Sequence, residues 1–90
     1  MVSLSEDLEL LADPLRVRLL ALLEGEELTV GELGRVLSLP QPTVSRHLKS
    51  LLQGEWLVRR TVGTAAFLRM TGLDATRTDL WRIVRADRAL

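Results

Sequence analysis

Residues 41–53 read QPTVSRHLKSLLQ, and this stretch decides the fold. Val44, Leu48, Leu51 and Leu52 recur at the i, i+4, i+7, i+8 spacing of one helix face. Turned at about 3.6 residues per turn, Thr43, Arg46, Lys49, Ser50 and Gln53 fall on the other face. No acid lies among them, whereas an ordinary solvated face mixes both signs. An acid-free face of Arg, Lys, Gln, Ser and Thr suits phosphates and base edges, so the stretch reads as a DNA recognition helix.

The segments on either side fit that reading. Upstream, Thr29 and Glu32 make a capping box that opens a short helix over 30–37. That helix is expected to turn Val30, Leu33, Val36 and Leu37 inward and Glu32 and Arg35 outward. Ser38-Leu39-Pro40 is the turn, and 30–53 becomes a helix-turn-helix. Downstream of Gly54 the period changes. Residues 56–62 are rich in Trp, Val, Leu and Thr, as a strand is. Gly63-Thr64 and a second run over 65–70 complete a hairpin, with Ala66, Leu68 and Met70 on one face and Phe67 and Arg69 on the other. The first run places Arg59 and Arg60 next to its turn, so 56–70 reads as a basic wing.

At the chain start, Ser3 and Glu6 form another capping box, predicting a helix over 4–12 with the stripe Leu4, Leu8, Leu11, Leu15 and with Leu10 off it. Asp13-Pro14 supplies a cap and a favoured first residue for a second helix over 14–24, apolar on most sides and stopped at Gly25. Leu73, Leu80, Ile83, Val84 and Leu90, with Trp81 on or beside the stripe, predict a last helix over 74–89. The fold class is therefore mainly α: one winged helix-turn-helix domain over 1–90, with about five helices and a two-stranded hairpin.

Ninety residues bury a limited core, and a second subunit is a common way to add buried area. No apolar run approaches the roughly 20 residues of a membrane span. The acidic N-terminus does not resemble a signal peptide, so a cytoplasmic location is expected. Net charge is zero but unevenly spread: residues 1–32 carry eight acids and two bases, residues 33–70 six bases and one acid. Eleven of the twelve bases are Arg, which favours bidentate contacts to guanine or phosphate and equally reflects high-GC coding.

Other chemistry finds little support. There are no cysteines, hence no disulfide or thiolate metal site. His47 is the single histidine, with no second ligand at useful spacing, so it is read as packed or hydrogen-bonded. Glu24, Glu26 and Glu27 flank Gly25 and read as solvated acids. Trp56 and Trp81 read as packing residues. No enzyme activity, cofactor or metal is expected.

ADPLRVRLLALL, TVGELGRVLSLPQPTVSRHLKSL and WLVRRTVGTAAFLRMT together resemble, in order and spacing, the ArsR/SmtB family of bacterial repressors over roughly residues 5–71. The resemblance implies a homodimeric winged helix-turn-helix that binds palindromic operators and pairs through its first and last helices. It also implies DNA-reading roles for Gln41, Thr43, Ser45 and Arg46, with Lys49 near phosphates. The chain departs from the family pattern in three places. The third helix lacks the metal-sensing cysteine pair, and the last helix has Asp but no His. Pro40 replaces a frequent capping Ser and cannot cap through its side chain. TDLWRIVRADRAL also resembles the link to a larger C-terminal domain, a methyltransferase in some relatives.

The expectation is a sequence-specific DNA-binding transcriptional regulator, a repressor acting as a homodimer on double-stranded DNA. Gln41, Thr43, Ser45, Arg46, Lys49, Arg59 and Arg60 are the expected DNA contacts. Leu4, Leu8 and Leu11, with Leu80, Trp81, Ile83 and Val84, are the expected dimer surface, because two such stripes exceed what a small core covers. The sequence names no effector. The alternative is a winged helix used as a protein-interaction module or as the N-terminal regulatory part of a larger enzyme. An interaction module tolerates acids or exposed apolar groups on the recognition face.

Overall fold

A computed structural model describes residues 3–87. Among them the element order is α1 (Leu4–Leu11), α2 (Pro14–Gly25), β1 (Leu28–Thr29), α3 (Val30–Leu37), α4 (Gln41–Gln53), β2 (Leu57–Val62), β3 (Ala65–Met70) and α5 (Ala75–Ala86). The capping boxes form as the sequence predicts: Ser3 and Glu6 close on each other at α1, Thr29 and Glu32 at α3. Asp13 accepts from the Leu15 and Arg16 amides and starts α2. Asp74 caps α5 by accepting from the Arg77 amide. Gly25, expected as the stop of α2, is its last helical residue, and α5 ends at Ala86, short of 89. Leu90, used in predicting that helix, lies outside the described residues.

The core is built from α2 and α4 packed on the sheet. Leu19, Leu20 and Leu23 of α2 meet Leu33 of α3, Val44, Leu48 and Leu51 of α4, and Trp56, Leu57 and Leu68 at the wing's root, all buried. Burying one such Leu is worth about 1.5–3 kcal/mol, so this cluster fixes α4 firmly with its polar face outward.

The sheet has three strands rather than two, in the order β1-β3-β2. The hairpin pairs Leu57 with Met70 through to Val62 with Ala65, and Leu28 and Thr29 add to its other edge opposite Leu68 and Phe67. A two-residue strand shows no period, so Thr29 reads in the sequence only as a cap, which it also is. At the hairpin tip Gly63 takes a φ of 60°, a conformation open to glycine at little cost. Where the turn after α3 folds back on that helix, a side chain on Gly34 would sit 3.1 Å from the Leu39 carbonyl oxygen. That carbonyl approaches because the Leu39 N–H returns to the Gly34 carbonyl at 3.0 Å.

Three inward or outward assignments are corrected. Val36 is exposed, because the eight-residue α3 meets the core chiefly through Leu33. Leu10, off the Leu4/Leu8/Leu11 stripe in the sequence, also packs on the core. Leu11 and Trp81, expected at a partner surface, are buried in the protomer's own core; Trp81 further anchors its Nε1 on Glu24 Oε2 at 3.1 Å. The apolar groups left outside on α1 and α5 are Leu4, Leu8 and Ile83, with Leu80 and Val84 half-buried beside them. Among the described residues no helix is long and apolar enough to cross a membrane.

Candidate nucleic-acid interface

Helix α4 starts after Pro40, its N-cap residue, whose φ of −61° and ψ of 142° set the turn without a side-chain cap, as its ring requires. Thr43 and Val44 donate their amides to the Pro40 carbonyl. Val44, Leu48 and Leu51 then face the core completely, which turns Gln41, Ser45, Arg46 and Lys49 out to solvent; Thr43 is half-buried. Helix α4 itself carries no acid.

His47, next to Arg46, is pinned on the inner flank. Its Nδ1 lies 3.5 Å from Arg16 Nη1 and 4.0 Å from Asp13 Oδ2. Arg16 in turn donates to the Leu10 and Glu9 carbonyls, closing the C-terminal end of α1. The lone histidine is thus a strut between α2 and α4. Burial would raise the Asp13 pKa, but the Arg16 and Leu15 amides and the Arg16 and His47 charges outweigh it and hold the carboxyl below its ordinary value.

The two wing arginines separate. Arg59 stands opposite Leu68 on the face toward α4, where it is exposed and shares a groove with Ser45 and Lys49. Arg60 stands on the opposite face, paired with Phe67, with its guanidinium 5.2 Å from the ring centroid. There it donates from Nε and Nη2 to both carboxylate oxygens of Glu27, at 3.0 and 2.9 Å. Hydrogen bonding to Arg60 lowers the Glu27 pKa, and the same contact raises that of Arg60. Glu24 and Glu27 stay at the surface, as read from the sequence, but each is also paired: Glu27 with Arg60, and Glu24 with Trp81 and with Arg85 at 3.2 Å. Their partners are far away in sequence, and no local spacing signals them.

Ser45, Lys49 and Arg59 thus line one acid-free groove between α4 and the near face of the wing, and Gln41 and Arg46 are exposed on the same acid-free helix, whereas Arg60 is committed to a protein carboxylate. The helix-turn-helix domain family matches residues 11–59, which hold α2 to α4 and the start of the wing. The chain is 42% identical over 74 residues to the HTH-type transcriptional regulator Rv2034 of Mycobacterium tuberculosis, covering 80% of this chain and 69% of that protein. It is 37% identical over 65 residues to KmtR of the same organism, covering 72% of this chain and 50% of KmtR. Among solved structures, the homodimeric winged helix-turn-helix DNA-binding domain of Mb0332 from Mycobacterium bovis, a candidate ArsR-family regulator, superposes with a TM-score of 0.78 at 25% identity, over 90% of this chain and 73% of that one. The chain belongs to the helix-turn-helix domain family, as a winged transcriptional regulator of the ArsR/SmtB type.

Proposed function

We propose that this chain is a cytoplasmic, non-enzymatic repressor that binds a palindromic operator as a homodimer. The observation that carries the proposal is the composition of the exposed face of α4: Gln41, Ser45, Arg46 and Lys49 outward with no acid among them, on a helix whose other face is locked in the core. Side chains of this kind on a rigid helix enter the major groove, where Arg donates two bonds to guanine and Gln and Ser add polar contacts. Arg59 on the near face of the wing supports contact with the flanking phosphates. The exposed Leu4, Leu8 and Ile83 support pairing through α1 and α5, as does the homodimeric state of the Mb0332 domain. A two-fold pair places two recognition helices about one turn of DNA apart, roughly 34–36 Å.

The test is selection from a random duplex pool, followed by anisotropy titrations across a salt series. The expected result is an inverted repeat bound in strongly salt-dependent fashion. Absence of salt-dependent DNA binding would replace this reading with that of a protein-interaction module.

A further inference from the structure

Between α4 and the wing runs an open groove of about 370 Å³. Its walls are aliphatic: Leu48 and Leu52 of α4, Ala66 and Leu68 of β3, and Val30 of α3. Its polar members are Ser45, Lys49 and Arg59, with no acid in the lining. Among the described residues neither Lys49 nor Arg59 takes part in an ion pair. The contrast with Arg60 one residue on is direct, since Glu27 neutralises it on the far face of the same hairpin. An apolar trough with two unpaired cations and a hydroxyl complements a particular kind of molecule: an aliphatic tail ending in a carboxylate. Pockets that hold small ligands usually begin near 300 Å³, so the space suits one short chain.

We propose that this groove binds a free medium-chain alkyl carboxylate, and that the bound anion excludes DNA. The tail replaces water along the half-buried Val30, Leu52 and Ala66, above the buried Leu48 and Leu68, and each buried methylene adds favourable transfer. The carboxylate takes the Lys49 ammonium and the Arg59 guanidinium, which the DNA-binding reading assigns to phosphates. One anion and one phosphate backbone cannot hold the same two cations, so binding is competitive. The exclusion rests on the DNA-binding reading; the occupancy of the groove does not.

The experiment uses sodium decanoate below its micelle concentration, with decanol as the neutral control, on the ¹⁵N-labelled chain. Decanoate is expected to shift the amides of Leu52, Ala66 and Leu68 in a saturable way, and decanol to bind much more weakly. Lys49→Gln with Arg59→Gln, both at exposed side chains, should weaken decanoate about tenfold or more, the value of a charge-assisted contact. Ala66→Phe should fill the trough and abolish binding. In anisotropy, decanoate should release a bound duplex in proportion to its groove occupancy. No shifts at the groove, or shifts unchanged in the double Gln variant, would overturn the proposal. So would a duplex that stays bound to decanoate-saturated protein. If decanoate fills the groove while the wild type binds no duplex at all, the ligand site stands and the DNA reading falls.

Discussion

Asp7 of α1 and Arg77 of α5 form a two-pronged ion pair, with Arg77 Nη2 2.9 Å from Asp7 Oδ1 and Nε 3.1 Å from Oδ2. The same carboxylate accepts from Trp56 Nε1 at 2.9 Å, and the Arg77 guanidinium lies 4.9 Å from the Trp56 ring centroid. Arg77 also donates to the Gly54 and Glu55 carbonyls at 2.8 Å, where the chain leaves α4 for the wing. Helices α1 and α5 are thereby tied to the C-terminal end of the recognition helix. Every polar atom in the cluster is partnered, so losing one member strands the others in a buried site.

Asp7→Ala should therefore cost about 3–5 kcal/mol, the range for breaking one side of a buried pair. Asp7→Asn, which retains an acceptor for Trp56, should cost less. Urea denaturation measures both. A loss below about 1 kcal/mol for Asp7→Ala would show that the pair is not an anchor.

Asp13 gives a pH signature. Its folded pKa lies below its ordinary value of 3.8, so the stability it adds is present above that value and is lost as pH falls through the folded one. Glu27 and Glu32, also lowered, act in the same direction. Asp13→Ala should cost about 1 kcal/mol at pH 7, as loss of a helix N-cap does. The gap between variant and wild type should close as pH falls through the lowered folded pKa of Asp13. A gap independent of pH would mean that packing, not the ionised cap, carries the effect.

The first four helices were legible because their signals are local: the caps at Ser3, Asp13 and Thr29, and the periodic Val44, Leu48, Leu51, each belong to one element. The acid-free face of α4 followed from the same periodicity. What escaped was set by partners distant in sequence. Arg77 and Asp7 are 70 residues apart, and Arg60 and Glu27 are 33. β1 exists only because β3 offers it an edge. Trp81 shares a stripe with surface residues, and only the position of Glu24 on α2 shows that it turns inward.

The surface left on α1 and α5 makes a dimer test specific. Ile83 is 69% and Leu8 50% exposed, so an acid at either costs the protomer little packing. Ile83→Asp and Leu8→Asp should each leave the circular dichroism spectrum intact. Each should also shift sedimentation at micromolar concentration from twice the 10.1 kDa chain mass toward the monomer. Dimers that persist in both variants would place the interface elsewhere.

The wing arginines should behave differently although they are neighbours. Arg59→Ala should weaken binding to all duplexes and reduce the salt slope by about 0.9, the loss of one phosphate contact. Arg60→Ala should leave that slope nearly unchanged, because its guanidinium already holds Glu27. Equal effects on the slope would mean that Arg60 leaves Glu27 when DNA binds.

Arg46 carries the sharpest expectation about sequence reading. It lies between Val44 and Leu48, both buried, and is itself exposed, so it projects away from the core at the middle of the exposed face. The His47 strut to Asp13 and Arg16 fixes the rotation of α4 at the adjacent position. Under the proposed function, a guanidinium presented there is expected to pair with guanine O6 and N7, worth about 1–3 kcal/mol of discrimination. Arg46→Ala should thus lower affinity for the selected operator about 10- to 100-fold and relax preference at one base pair in each half-site. Lys49→Ala, a turn further along, should weaken operator and scrambled duplexes alike. Anisotropy on both duplexes over a salt series separates the two. An unchanged ratio of specific to nonspecific binding in Arg46→Ala would remove base reading from this residue and leave it a phosphate contact.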